Sequence, residues 1–318
     1  MAPQGNDKMK SDWISADATW GALLAAGQKV LQDAGIAEFS LDAWYLFEHA
    51  FEISRMQYFM CSAQKAEPTE DALNEYHEGI SRRAKREPLQ HILGTQEFMG
   101  LEFYVNRYTL IPRQDTETLV ETVLAAHKEK NATILDMCTG SGCIAISLAA
   151  HGGYASVEAA DISEEALKVA VKNAEKILGE WDVVPPAAGA AGNEDKTIRF
   201  RPSDMFSAFD QSKDKFDIIV SNPPYIPSDV IEELEPEVRD FEPRSALDGT
   251  ADGLFFYEKL AEECGMFLKE NGAVYFEIGH DQGEAVENLL KAQGYKDTKV
   301  IKDLAGKDRV VCGIWQTA

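Results

Sequence analysis

The sequence predicts an α/β protein in which a small helical domain precedes a mostly parallel sheet covered by helices on both faces. The 318 residues fit about two domains, at roughly 100–200 residues per domain. Before Pro88, apolar residues recur at helical spacing. After Pro112, short apolar runs alternate with helical stretches as far as the C-terminus. Such alternation indicates parallel strands joined by helical crossovers.

Residues 1–90 are predicted to form the helical domain. Apolar residues at helical spacing occupy 20–31 and 41–47, and no β-branched, turn-bounded run interrupts them. Ser40 resembles the N-cap of one helix, and Thr69 marks the start of another.

Residues 91–115 are predicted to be a linker that contains a β-hairpin. The segment 98–111 combines aromatic residues, Gly100 and alternating apolar positions, and it lies between Pro88 and Pro112. This composition is typical of one or two short strands.

Residues 116–318 are predicted to form the sheet domain. The predicted strands are 134–137, 155–160, 198–200, 216–220, 273–278, 299–301 and 309–314, and the predicted helices are 116–127, 143–150, 163–178 and 257–268. The last two strands are joined by so few residues that they must be antiparallel, because a parallel crossover needs about a dozen. The sheet is therefore expected to end in a hairpin.

Two segments interrupt this alternation. Residues 179–195 are rich in Gly, Pro and Ala, and we expect a flexible insertion there. Residues 227–244 follow the fourth predicted strand and form an acidic loop with six Asp and Glu side chains between 231 and 242.

The charge and the cysteines exclude several classes of protein. The formal net charge is −23, which repels the phosphate backbone, so nucleic-acid binding is not expected. The five cysteines are scattered and form no Cys-x-x-Cys pair, which fits neither a disulfide framework nor a metal site. Residues 1–12 lead into no apolar segment, and no run is long enough to span a membrane. We therefore expect a cytoplasmic protein.

A glycine turn follows the first strand of the sheet domain. Gly140 and Gly142 lie where the strand turns into a helix, and a residue without Cβ lets a ligand approach the backbone. Asp161 ends the next strand, where its carboxylate can accept hydrogen bonds from two ribose hydroxyls. The motif predicts a cofactor that contains a nucleoside, and it leaves NAD, S-adenosylmethionine and a turn without ligand open.

The segment Asn222-Pro223-Pro224-Tyr225 directly follows the strand 216–220. Ligands of open α/β sheets bind at the carboxyl ends of strands, so this segment lies beside the expected site. The Asn222 side-chain oxygen and the Pro223 carbonyl can accept the two N–H bonds of a planar NH2 group, and the Tyr225 ring can stack on it. A hydride-transferring dehydrogenase has no use for such a segment. A stiff turn without ligand is the structural alternative.

These two motifs together resemble the class I S-adenosylmethionine-dependent amino methyltransferases. Within that group the chain is similar to the release factor glutamine methyltransferases, the HemK family, and the likeness covers nearly the whole chain. Further matching segments occur in the same order, at 88–94 (Pro-Leu-Gln-His-Ile-Leu-Gly), 110–113 (Leu-Ile-Pro-Arg), 241–244 (Phe-Glu-Pro-Arg), 252–254 (Asp-Gly-Leu), 277–279 (Glu-Ile-Gly) and 308–311 (Asp-Arg-Val-Val).

The resemblance implies a Rossmann-like methyltransferase domain with seven strands and an N-terminal domain that recognises the substrate. It implies methyl transfer from S-adenosylmethionine to the side-chain amide nitrogen of the glutamine in the Gly-Gly-Gln motif of peptide chain release factors. We expect a monomer that contacts neither nucleic acid nor membrane. By motif, the cofactor-binding residues are Cys138, Thr139, Gly140, Ser141, Gly142, Asp161, Asp204, Met205 and Asn222, and the glutamine-binding ones are Asn222, Pro223, Pro224 and Tyr225.

Two positions depart from the family pattern. Cys138 stands where many relatives have Gly, and Gln114 stands where Pro is usual. Because Cys is small, we expect position 138 to tolerate it with a negative φ. A positive φ there would count against the interpretation of this loop as the cofactor site.

The residues predict catalysis by position. An amide nitrogen is a poor nucleophile, and none of the six histidines lies in either motif. Asn222, Pro223 and Tyr225 are therefore predicted to orient the nitrogen rather than to remove its proton. The alternatives are methylation of another planar amino group (a ribosomal-protein glutamine or a nucleic-acid adenine), an NAD-dependent oxidoreductase and a non-catalytic binding module.

Two charged segments are compatible either with simple exposure to solvent or with contact to a partner protein. The acidic loop 231–242 is either solvated or steers a basic partner toward the site. The basic cluster 82–86 is interpreted first as a solvated helix end and second as a contact to a partner.

Overall fold

The structure is a computed structural model that describes residues 18–154, 156–186 and 196–316. It contains two compact units that meet in sequence between Leu93 and Gly94. The expectation for residues 1–12 lies outside the described residues. The division into a domain, a linker and a second domain at residues 90 and 115 stays a prediction.

The first unit consists of helices packed around aromatic residues. The described helices are α1 (Trp20–Asp33), α2 (Phe39–Phe51), α3 (Arg55–Cys61), α4 (Glu70–Ala84) and α5 (Leu89–Leu93). Phe47 and Tyr76 are fully buried between them, and their rings meet edge to face. The predicted helical character of this part of the chain is confirmed.

One of the two predicted helix caps in this unit is correct. Thr69 caps α4, since its side-chain oxygen accepts a hydrogen bond from Ala72 N. The prediction for Ser40 is wrong, because α2 already begins at Phe39. The Ser40 hydroxyl instead accepts a hydrogen bond from Gln28 on α1.

The basic cluster at the end of α4 is also different from the prediction of a solvated helix end. Arg83 is buried and donates a hydrogen bond of 2.7 Å to Asp42 of α2. Arg82 pairs with Glu87 at 2.6 Å. Loss of one partner of a buried ion pair is strongly destabilising. The pair of Arg83 with Asp42 therefore holds α4 against α2.

The second unit begins with a hairpin and continues into a large sheet. The hairpin strands β1 (Thr95–Phe98) and β2 (Leu101–Tyr104) are antiparallel, and Gly100 in the turn has a φ of 72°. The sheet strands are β3 (Thr133–Met137), β4 (Ser156–Asp161), β5 (Asp182–Val184), β6 (Thr197–Pro202), β7 (Phe216–Ser221), β8 (Leu268–Glu277), β9 (Lys296–Lys302) and β10 (Asp308–Ile314).

The strand order is β5-β6-β4-β3-β7-β8-β10-β9. All neighbours are parallel except β10, which is antiparallel to both β8 and β9. The predicted antiparallel end of the sheet is therefore confirmed. The predicted count of seven strands is wrong, because the sheet has eight among the described residues.

The additional strand lies in the segment 179–195, which the sequence predicts to be a flexible insertion. Here β5 pairs with β6, with Val183 opposite Ile198, and forms one edge of the sheet. Three residues are too few for a strand to show an alternation in the sequence. Residues 187–195 of the predicted insertion lie outside the described residues.

Helices cover both faces of the sheet. They are α6 (Glu117–Ala126), α7 (Cys143–Ser147), α8 (Glu164–Leu178), α10 (Phe255–Phe267) and α11 (Gly283–Ala292), while the short α9 (Pro236–Arg239) lies in the acidic loop. Ile134 and Ile218 point into one apolar core, and the next residues, Leu135 and Ile219, point into the other. This alternation explains why the central strands are apolar on both faces.

No helix in the described ranges is both long and apolar enough to cross a lipid bilayer.

Candidate active site

A cavity of about 400 Å³ opens at the carboxyl ends of β3, β4, β6 and β7. Both motifs found in the sequence contribute to its wall. The predicted residues that line it are Cys138, Thr139, Gly140, Ser141, Asp161, Asp204, Met205, Asn222 and Pro224. The predicted residues Gly142, Pro223 and Tyr225 do not line it.

A buried carboxylate holds the loop between β3 and α7. Asp136 is fully buried, and its Oδ2 accepts hydrogen bonds from Thr139 Oγ1 at 2.6 Å and from Ala145 N at 3.1 Å. Its Oδ1 has no hydrogen-bond partner among the described residues. Burial raises the pKa of Asp136 to about 7. The sequence reasoning gave this residue no role of its own, because burial cannot be read from its position in the motif.

The two glycines of the loop have different tasks. Gly140 has a φ of 56°, and a Cβ built on it would meet no atom within 4 Å, so its backbone is open to a ligand. Gly142 has a φ of 81°, and its Cβ would lie 2.8 Å from Ile146 and 3.1 Å from Ala170. Gly142 is therefore required where α7 packs against α8, which explains why it does not line the cavity.

The expectation of a negative φ at Cys138 is wrong, since its φ is 63°. The hydrogen bond from Thr139 N to Ala160 O holds the chain in this turn directly after β3. A side chain in the left-handed region costs about 1–2 kcal/mol. The strained residue is Cys138, and the backbone that is open to a ligand belongs to a different residue, Gly140. The loop thus keeps the approach that a cofactor needs.

Asp161 connects the end of β4 to the glycine loop. Its Oδ2 accepts from Gly140 N and its Oδ1 from Ser163 N, both at 2.8 Å. The Ile162 N–H also acts on this carboxylate and lowers its pKa. Burial raises the pKa of this group above its usual range. Asp161 lines the cavity, where its carboxylate can accept hydrogen bonds from the hydroxyls of a ribose.

The loop after β6 is fixed against β4. Ser203 N donates to Asp161 O at 2.9 Å, and the Ser203 hydroxyl donates to Met205 O and accepts from Ala208 N. Met205 has a φ of 48°, so this turn also contains a side chain in the left-handed region. Asp204 and Met205 face the same cavity as the glycine loop.

The corner after β7 is anchored on both sides. The Ser221 hydroxyl donates to Met137 O at 2.6 Å, which joins the ends of β7 and β3. On the other side, the Tyr225 carbonyl accepts from Gln282 Nε2 at 3.1 Å. A Cβ on Gly253, whose φ is 74°, would lie 2.3 Å from that carbonyl oxygen. Asn222 and Pro224 are therefore held at the cavity wall from behind.

The ring of Tyr225 packs against the apolar core between β8 and α10 rather than lining the cavity. Burial raises the pKa of its hydroxyl to about 12. The Tyr225 ring thus supports the corner from the core side. Asn222 is the residue of the corner that presents a polar side chain to the cavity.

Several cavity residues were missed by the motif search, because they come from segments distant in sequence. Phe255, Phe256 and Lys259 belong to α10. The segments 108–116 and 243–248 supply another part of the wall: Tyr108, Thr109, Leu110, Pro112, Arg113, Thr116, Pro243, Ser245, Ala246 and Asp248. The segments 110–113 and 241–244, which resemble the family, are the sequence signal that could have indicated these cavity residues.

An ion pair joins these two segments. Arg113 Nη2 donates to both carboxylate oxygens of Glu242, each at 2.7 Å, and the Glu242 side chain is only 1% exposed. Glu242 belongs to the predicted acidic loop, so at least this carboxylate is structural rather than solvated. Within the described ranges, no group of three or more His, Cys, Asp or Glu side chains could hold a metal ion.

Comparison with known proteins identifies the family. Residues 22–94 match the family described as "PrmC N-terminal domain", and residues 114–233 match "Methyltransferase small domain". The release factor glutamine methyltransferase of Agrobacterium fabrum is 39% identical over 93% of this chain and 97% of its own length. That of Caulobacter vibrioides is 40% identical over 91% and 94%, and that of Bacillus subtilis is 37% identical over 89% and 93%.

The chain belongs to the release factor glutamine methyltransferases. The predicted class I methyltransferase fold with an N-terminal helical domain is confirmed. A solved structure, the release factor-specific protein-(glutamine-N5) methyltransferase of Alicyclobacillus acidocaldarius, is 28% identical, with a TM-score of 0.38 over 68% of this chain and 100% of that chain. At that score the likeness carries no weight for the fold.

The cofactor of this methyltransferase is S-adenosylmethionine, and the residues of the cavity fit it. The open backbone at Gly140 and the carboxylate of Asp161 suit its nucleoside part. The loop of Asp204 and Met205 provides the neighbouring wall. The cofactor's sulfonium supplies the methyl group when it is bound.

Replacing Asp161 should weaken cofactor binding. We expect Asp161→Ala to raise the dissociation constant of S-adenosylmethionine about 100-fold in isothermal titration calorimetry, because two charge-assisted hydrogen bonds are lost. Asp161→Asn should raise it less, since an amide keeps one acceptor. Glu165→Ala, an exposed change on α8, is the control. An unchanged constant in Asp161→Ala would contradict the assignment.

The buried Asp136 should make stability fall as the pH rises. Its folded-state pKa of about 7 lies above the usual value of 3.8, so the folded state binds a proton that the unfolded state releases between these values. The contribution of Asp136 to the free energy of unfolding should therefore decrease through this range, by at most about 1.4 kcal/mol per pH unit. Asp136→Asn should show a shallower decrease from pH 5 to pH 7 in urea unfolding. The exposed change Asp281→Asn is the control, and equal slopes in the wild type and Asp136→Asn would refute the effect.

Proposed function

We propose that this protein transfers a methyl group from S-adenosylmethionine to the side-chain amide nitrogen of the glutamine in the Gly-Gly-Gln motif of a peptide chain release factor. The observation that carries the proposal is the position of Asn222, which lines the same cavity as Gly140 and Asp161. One cavity thus combines the residues suited to the cofactor with an amide that can accept a hydrogen bond from an NH2 group. The names of the relatives support a release factor as the substrate.

The chemistry that these residues must assist is a displacement at carbon. The nitrogen–carbon bond forms as the carbon–sulfur bond breaks, and the nitrogen then loses one proton to water. Delocalisation into the carbonyl makes the amide nitrogen a weak nucleophile. None of the described histidines lines the cavity, and the nitrogen becomes acidic only after it is methylated, so the protein's task is to orient the amide.

Asn222 Oδ1 is the group proposed to do this. As an acceptor for one N–H bond, it fixes the rotation of the glutamine amide and favours the positive charge that develops on nitrogen. We keep the Pro223 carbonyl as the proposed second acceptor and the Tyr225 ring as the proposed stacking surface. Both residues belong to the same corner as Asn222, which Gln282 and Gly253 hold from behind. Because neither lines the cavity, these two roles require the corner to rearrange when the substrate binds.

The proposed compartment follows from the proposed substrate. A release factor acts on ribosomes, so we propose that the protein works in the cytoplasm. We further propose that it acts as a monomer, because a single unit of the chain supplies both the residues suited to the cofactor and Asn222.

Mass spectrometry of a release factor after incubation with the protein and S-adenosylmethionine tests the function. We expect a mass increase of one methyl group on the tryptic peptide that contains the Gly-Gly-Gln motif. Asn222→Ala should lower the turnover number by about 10²–10³ and should affect the dissociation constant of the cofactor less. Methyl transfer to RNA, DNA or a ribosomal protein in place of the release factor would overturn the proposal.

The acidic loop is a candidate surface for contact with the release factor. Glu232, Glu233 and Glu235 are exposed, and the residues that follow the loop line the cavity. A release factor contacts ribosomal RNA and therefore needs basic surface, so we propose that the loop steers it toward the cavity.

Reversal of these three charges to Lys should lower the association rate and weaken its dependence on salt. Stopped-flow fluorescence with a labelled release factor measures this rate. Reversal of Glu270, Asp281 and Glu284, which are exposed outside the loop, changes the net charge equally and is the control. Equal rates for the two triple variants would show that the loop does not steer.

A further inference from the structure

A buried carboxyl at the end of β8 has no task in the chemistry described so far. Glu277 is only 2% exposed, and its Oε2 has no hydrogen-bond partner within the described ranges. Burial of a charge is costly unless it is used or paired. Burial raises the pKa of this group to about 7, and the Thr116 hydroxyl and the charge of Arg309 act in the opposite direction.

The register of the sheet brings Glu277 next to Asn222. Ser221 of β7 is paired with Phe276 of β8 in a parallel ladder. Asn222 and Glu277 are the next residue of each strand, so their backbones lie side by side at the carboxyl edge. This is the edge at which the cavity opens.

Thr116 lies between the two side chains. It is buried, and it lines the cavity from the short turn Gln114–Thr116 before α6. Its oxygen accepts from Asn222 Nδ2 at 3.5 Å, and its hydroxyl is near enough to the Glu277 carboxyl to lower the pKa of that group as a hydrogen-bond donor. The chain of contacts therefore runs from Glu277 through Thr116 to Asn222.

The direction of these hydrogen bonds follows from chemistry. An ionised carboxylate can only accept, so the Thr116 hydroxyl must donate its single proton to Glu277. The Thr116 oxygen is then left to accept, and only the NH2 end of the Asn222 amide can donate to it. With its NH2 end occupied in this way, the amide presents its Oδ1 end to the cavity.

The charges of Arg309 and Arg113 favour the ionised form of Glu277, and the charge of Asp115 opposes it. Arg309 is buried and lowers the pKa of Glu277 through its charge. The same arginine forms an ion pair of 3.0 Å with Asp115, the residue before Thr116. Arg309 therefore favours the ionised form of Glu277 and, through its ion pair with Asp115, fixes the turn that contains Thr116.

We propose that Glu277 and Thr116 are positioning residues that set the orientation of the Asn222 amide, so that its oxygen rather than its NH2 group faces the substrate. This inference rests on the proposed function, because it assigns a use to Asn222 Oδ1. A reversed amide would present two N–H bonds to the two N–H bonds of a glutamine and would repel it. The relay thus makes Asn222 an acceptor before the substrate arrives.

Turnover at pH 8, above the pKa of Glu277, tests the relay. We expect Thr116→Val to lower the turnover number about 10- to 100-fold and to leave the dissociation constant of S-adenosylmethionine unchanged. Thr116→Ser keeps the hydroxyl and should restore turnover. Glu277→Gln should behave like Thr116→Val, because its NH2 group donates to Thr116 and frees the hydroxyl to donate to Asn222 in the reversed orientation. Thr122→Val, which removes a hydroxyl bonded only to the Thr118 carbonyl of α6, is the matched control.

A double-mutant cycle separates positioning from a general structural effect. If Thr116 acts through Asn222, then Thr116→Val should cause no further loss in an Asn222→Ala background. Independent losses that multiply would overturn the relay. Circular dichroism and the cofactor dissociation constant identify any variant that fails to fold. If either Thr116→Val or Glu277→Gln fails to fold, the other variant provides the test.

Hydrogen exchange of the Asn222 side-chain amide tests the relay without any substrate. In nuclear magnetic resonance spectra of the full chain, assigned with Asn222→Ala, the NH2 protons should exchange several-fold faster in Thr116→Val than in the wild type and in Thr116→Ser. Equal exchange rates would overturn the relay even if release factors are methylated. Faster exchange without any methylation of a release factor would support the relay and refute the proposed function instead.

Discussion

The parallel register of β3 with β4 and β7 is the constraint on which the site depends. Met137 is paired with Ala160 on one side and with Ser221 on the other. The residues that follow these three positions are Cys138, Asp161 and Asn222. A shift of register by one residue would turn every side chain of a strand to the opposite face, and the glycine loop, the carboxylate and the amide would no longer share one cavity.

Several features of the site are unfavourable for the folding free energy when each is taken alone. Asp136 and Glu277 are buried carboxyls whose pKa values are raised to about 7, and Cys138 and Met205 have backbones in the left-handed region. Together these features oppose folding by several kcal/mol. The two apolar cores on either side of the sheet supply the compensating stability. A rigid framework that tolerates such costs can keep polar groups oriented before a substrate binds.

Most of the architecture could be predicted, because helices and strands of ordinary length leave their period in the sequence. The errors have local physical causes. Three residues are too few for β5 to show an alternation, Ser40 lies one residue inside α2, and the left-handed φ of Cys138 is imposed by a hydrogen bond between β4 and the loop. The buried partner of Arg83 is equally non-local, since Asp42 comes from another helix. None of these contacts has a counterpart in the neighbouring sequence.

The sequence alone determined the two motifs at strand ends, and hence which residues would meet at one edge of the sheet, because parallel strands must all end there. It also carried the family resemblance that the relatives confirm. Only the tertiary structure decided that Tyr225 packs into the core while Asn222 faces the cavity, and that the Thr116 hydroxyl lies beside the Asn222 amide. The physical reason is that a side chain's direction and its hydrogen-bond partners depend on packing between segments that are distant in the sequence, such as those of Thr116 and Asn222.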